Sequence, residues 1–151
     1  MFAFATGREA RPGRRLNYAW AGEGAIERAM TTARFERLAR VLFWIALIGA
    51  IVLALMPQPP HLPTDRFGDK VNHMIAFATL SALSALGWPR AEKLRIVERL
   101  SFLGALIEVT QAMPALHRDC DIRDWAADTV AIVVVTLLFA LFARRREPVA
   151  A

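Results

Sequence analysis

Three short stretches hold most of the residues that could do chemistry. Asp69, Lys70 and His73 stand in FGDKVNHMIAF, Glu108 and Gln111 in GALIEVTQ, and Arg118, Asp124 and Asp128 in HRDCDIRDWAADTV. An imidazole or carboxyl group buried beside other charges has its pKa moved toward neutrality and can serve as general acid or base. His73 and Glu108 are the candidates for that role. Lys70 and Arg118 are cations suited to an anionic group such as a phosphate. Spacing adds to this. Gly104, Glu108 and Gln111 fall at i, i+4 and i+7, as do Asp124, Asp128 and Ala131, while Asp69, His73 and Phe77 fall at i, i+4 and i+8. On helices each set makes one stripe. The simplest packing turns the stripes toward one another, with Lys70, His73 and Arg118 against Glu108, Asp124 and Asp128. These eight residues, from Asp69 to Asp128, are the expected ligand-binding set.

Each residue also has a plainer reading. Glu108 and Gln111 could be polar glue between helices, and Lys70 and Arg118 could snorkel at an interface. Asp65, Arg66, Asp119 and Arg123 read as solvated loop charges. His117 and Cys120 have a spacing that can chelate zinc, but no four-ligand set accompanies them. No metal and no cofactor is expected. Cys120 is the single cysteine, which excludes an intramolecular disulfide.

The elements that must position these groups are apolar. The chain has 151 residues, 56% of them hydrophobic, and a mean hydropathy of +0.34. The apolar residues gather in four runs: Val41–Pro57 (extended back to Leu38 and Ala39), Val71–Trp88, about Leu100–Leu116, and Trp125–Ala143. At about 1.5 Å per residue each run covers roughly 25–30 Å, near the hydrocarbon thickness of a bilayer. The expected fold is all-α, an integral membrane bundle of four transmembrane helices. Prolines in PQPPHLPTD, in GWPR and at Pro114 close the first three spans, because proline lacks an N–H and clashes with the preceding turn.

Charge sets the expected orientation. Arg34, Arg37, Arg40, Arg90, Lys93, Arg95, Arg99, Arg144, Arg145 and Arg146 flank one side, ten in all; Arg66, Lys70, Arg118 and Arg123 flank the other. The positive-inside rule then places both termini in the cytoplasm and the polar stripes at the outward face. An ionised group near the bilayer centre costs about 2.5–3.5 kcal/mol, so Glu108 needs a cation or a proton. The formal net charge of +5 is explained by these flanks, and no motif supports nucleic-acid binding. Residues 1–33 read as a mobile basic tail, 34–146 as the membrane domain and 147–151 as a C-terminal tail. No secretory signal is evident, and Met30 would make an alternative start.

These motifs in this order resemble the VanZ-like family of small bacterial membrane proteins. That family shows D-K-x-x-H-x-x-x-F, G-x-x-I-E-x-x-Q and R-x5-D-x3-N-x-x-G at the edges of successive spans. The matching positions are Asp69, Lys70, His73 and Phe77; Gly104, Ile107, Glu108 and Gln111; and Arg118, Asp124, Asp128 and Ala131. Asp128 stands where asparagine is usual, and Ala131 where glycine is usual. The resemblance covers roughly residues 38–143. It implies a multi-pass protein of the bacterial cytoplasmic (inner) membrane, with a cell-envelope role like that of a teicoplanin-resistance protein.

Three functions compete at this level. The favoured one is binding or modulation of an anionic lipid or wall-precursor headgroup in an outward polar pocket, with the bilayer as partner. The second is a membrane enzyme acting on an envelope lipid through His73 and Glu108. The third is a structural scaffold or a small proton-linked transporter, which would need a homo-oligomer to form a pathway.

Overall fold

The computed structural model describes residues 13–57, 60, 63, 64, 66, 68–114 and 121–146; the side chains of residues 13–23, Asp69, Arg144 and Arg146 are outside the described set. Four helices follow in order: α1 (Gly13–Leu55), α2 (Asp69–Gly87), α3 (Lys93–Gln111) and α4 (Ile122–Arg146). The chain divides into two units, residues 1–35 and 36–151. In the first, the described residues are helical, and Ile26, Met30 and Phe35 are exposed. All that follows concerns the second.

The sequence explains where the helices stop. α1 ends just before Pro57, and α2 ends just before Trp88-Pro89. The Trp88 N–H turns back to the Ser84 carbonyl at 2.9 Å. α2 begins after Gly68, whose φ of 91° suits a residue without a Cβ. α4 begins behind Asp121, whose Oδ1 accepts from the Arg123 N–H at 2.9 Å, a side-chain N-cap.

The contacts define the directions. Lys70 meets Asp124 and His73 meets Asp128, so α2 and α4 run parallel. Ser101 bonds Thr129 while Glu108 bonds Asp121, so α3 runs against α4. Arg40 reaches Gly87 and Gln111 reaches Ala54, so α1 runs alongside α3 and against α2. The result is an up-down-up-down arrangement. Phe77 and Leu80 of α2, Ile96, Leu100 and Ile107 of α3, and Ile132 of α4 are buried between the helices, with Ala54 of α1. Large apolar side chains remain on the outer faces, among them Ile45 and Ile48, Phe102 and Val109, and Leu137 and Phe142.

The expectation of four transmembrane helices is corrected here. Among the described residues two segments are long and apolar enough to cross a membrane, Gly24–Leu55 and Ile122–Ala143. The other two helices differ for a local reason. α3 starts at Lys93 rather than near Leu100, so it includes Lys93, Arg95, Glu98 and Arg99 as well as Glu108. α2 opens on Asp69, Lys70, Asn72 and His73. The orientation argument falls with the span count. It assigned loops to opposite faces by assuming that all four runs cross, so neither cytoplasmic termini nor a multi-pass inner-membrane location is retained.

Candidate functional site

The site lies where the start of α2, the end of α3 and the start of α4 meet. His73 comes from the first turns of α2. Its Nδ1 lies 3.5 Å from Asp128 Oδ2, and both side chains are almost fully buried. At that separation the contact is electrostatic rather than a well-formed hydrogen bond. Asp128 sits one turn inside α4, four residues before Ile132, and is 1% exposed. Glu108, in the last turn of α3, is 5% exposed, and its Oε2 accepts from the Asp121 N–H at 3.1 Å.

An ion pair closes the rim. Lys70 Nζ is 2.6 Å from Asp124 Oδ1 and 3.7 Å from Asp121 Oδ2. Asp121 is therefore a junction: it caps α4, donates its N–H to Glu108 and shares Lys70. Beneath the rim, Gly104 lets the helices close up, since a Cβ there would lie 3.4 Å from Phe77 and 3.5 Å from Trp125. The Trp125 indole N–H donates to the Ser101 carbonyl at 3.0 Å, and Ser101 and Thr129 share a hydroxyl bond of 2.8 Å.

Burial dominates the electrostatics. Loss of solvent pushes the Glu108 carboxyl above its ordinary value; the Asp121 N–H and His73 pull it back, and the Asp124 and Asp128 charges push it further. Burial likewise raises Asp128, against the pull of His73. Lys70 is raised, chiefly by its hydrogen bond to Asp124. Acceptors are left over: Glu108 Oε1 and both Asp128 carboxyl oxygens are buried without a hydrogen-bond donor among the described residues, Asp128 Oδ2 having only the 3.5 Å contact with His73.

The structure brings together Lys70, His73, Glu108, Asp124 and Asp128 of the expected set. Gln111 is buried near them but acts as a clasp, its Nε2 donating to the Ala54 carbonyl at 2.8 Å in the last turn of α1. Arg118 and the side chain of Asp69 lie outside the described residues, as do His117 and Cys120. Asp121 was not in the expected set. The signal that marks it is an aspartate just before the helical run that starts at Ile122. Among the described residues no group of three or more His, Cys, Asp or Glu side chains could hold a metal ion.

No protein-family model matches the chain, and neither the curated proteins nor the solved structures include a significant match. The envelope role drawn from the VanZ-like resemblance, with teicoplanin or other glycopeptide resistance, is therefore not retained. The anionic-headgroup pocket is corrected on geometry as well. Lys70 is already neutralised by Asp124 and Asp121, and behind it lie carboxyl oxygens that would repel an anion. The lipid bilayer as partner, the envelope-lipid enzyme and the oligomeric transporter were argued from a four-span bundle, of which two segments among the described residues meet the length and composition of a span, and they are not retained.

Proposed function

We propose that the protein works through acid–base chemistry at the His73–Glu108–Asp128 cluster, binding protons and exchanging them with a small polar ligand. One observation carries the reading. Two carboxyl groups almost wholly removed from solvent each keep an oxygen without a donor among the described residues, one of them in contact with the His73 imidazole. An orphaned buried acceptor costs about 1–3 kcal/mol, and such groups in a folded protein call for an explanation in function or protonation. Protonation relieves the cost, and burial favours it for both carboxyl groups. In the neutral form Glu108 can donate a proton. His73 can accept one, and Asp128 beside it, once ionised, stabilises the imidazolium that results.

The test is a potentiometric titration of the folded protein beside Glu108→Gln and Asp128→Asn. Coupled carboxyl groups give macroscopic steps that belong to the pair. Removing either one should lower the midpoint of the other. Two independent titrations, unchanged by the partner's substitution, would overturn the reading. A second reading is a structural clamp, favoured because the cluster joins three helices and Gln111 adds the fourth. A clamp alone predicts that Glu108→Gln and Asp128→Asn lower stability and that neither changes the binding of a small polar ligand.

A further inference from the structure

Building on the acid–base reading, we infer that this site takes a small organic cation bearing N–H donors, a primary ammonium or a guanidinium, seated against Glu108 Oε1 and Asp128 Oδ1. The argument is one of donors and charges. From α2 the site receives Lys70 and His73; from α3, Glu108 and the neutral Gln111; from the start of α4, Asp121, Arg123, Asp124 and Asp128. From α1 it receives the Ala54 carbonyl, which Gln111 already occupies. The Lys70 ammonium is used at the rim by Asp124 and Asp121. What remains without a hydrogen-bond donor behind it is carboxyl acceptor, Glu108 Oε1 and the oxygens of Asp128.

An incoming anion would add acceptors to acceptors and like charge to like charge. A cation with N–H groups would give each orphaned oxygen its donor, with a charge-assisted bond. Lys70 displays the matching chemistry at the rim, an ammonium held between carboxylates on a partly exposed stem. It is the tethered competitor of the free ligand. Protons are the other competitor, because they satisfy the same oxygens.

The experiment titrates the full-length protein with methylammonium chloride and follows tryptophan fluorescence, with Trp125→Phe as the control for the ring that lies over Gly104, one turn from Glu108. Tetramethylammonium, which has the charge but no N–H, and sodium phosphate serve as contrasts. The expected result is saturable binding of methylammonium, at least about tenfold weaker response to tetramethylammonium, and none to phosphate. Binding should tighten as pH rises and Glu108 ionises. It should weaken about tenfold or more in Asp128→Asn and strengthen in Lys70→Ala, where the competing ammonium is gone. Binding of phosphate, equal responses to the two ammonium ions, or no response in both wild type and Lys70→Ala would overturn the inference. If methylammonium fails while the carboxyl groups still titrate as a pair, the ligand class falls and the acid–base reading stands. If the pairing itself is absent, both fall.

Discussion

The unit formed by residues 36–151 is tied at two ends by opposite means. At the α1–α2 end, Arg40 donates from Nε to the Gly87 carbonyl at 2.6 Å and pairs with Glu36 at 3.0 Å. It also lies over Trp88, 5.8 Å from the ring centroid, and Phe43 meets the same ring edge-on at 5.2 Å. The cation is partly exposed, its hydrogen bonds are made, and a cation at a helix C-terminus is where the dipole favours it. At the other end, Glu108 and Asp128 are buried, raised in pKa, and each leaves an acceptor unused. The first end reads as finished structure. The second is held together but chemically incomplete. That difference, more than the mere presence of charge, is the ground for proposing acid–base chemistry at the second end.

Breaking the finished end should cost the most stability and leave the chemistry alone. A Cβ at Gly87 would sit 3.0 Å from Arg40 Cγ and 3.2 Å from the Arg40 backbone nitrogen. Gly87→Val should therefore push α1 away and cost about 3 kcal/mol in denaturant unfolding, with the carboxyl titration unchanged. Next comes the clasp between the ends. Gln111→Leu leaves the Ala54 carbonyl without its donor and should cost about 2 kcal/mol by the same measurement. Ser101→Ala removes the bond to Thr129 and should cost about 1 kcal/mol.

The smallest effect at fixed pH is the most informative about the incomplete end. Glu108 has its folded pKa raised above the ordinary value of 4.5, so between the two values the folded state holds more of the proton than the unfolded state does. Stability contributed by this group is therefore present at low pH and lost as pH rises from about 4.5 through the folded value. Asp128 acts in the same sense from its own lower starting value. Glu108→Gln should flatten that decline, measured as unfolding free energy against pH. A slope identical to wild type would assign the pH dependence elsewhere.

Much of the site is legible in local spacing, because helical periodicity alone puts Glu108 with Gln111 and Asp124 with Asp128 on shared stripes. The partners are not legible in that way. Nothing near Lys70 says that Asp124 and Asp121 will neutralise it, and nothing near Gln111 says that it will seek a carbonyl 57 residues away. Those pairings are set by which helices run parallel, a property of the whole arrangement. The number of spans misled for a related reason. Apolar content in the stretch after Leu100 suggested a crossing, whereas the helix extends back through the charged residues from Lys93. Its apolar stripe, Ile96, Leu100 and Ile107, faces the core, which local composition cannot distinguish from a lipid-facing surface.

The central claim is that Glu108 and Asp128 hold their protons as a coupled pair. It is tested most directly by following the Glu108 carboxyl carbon by NMR across pH in the folded protein. The account predicts a midpoint above 4.5 that moves down in Asp128→Asn, because the Asp128 charge helps to raise it. A midpoint at or below 4.5, or one that Asp128→Asn leaves in place, would contradict it.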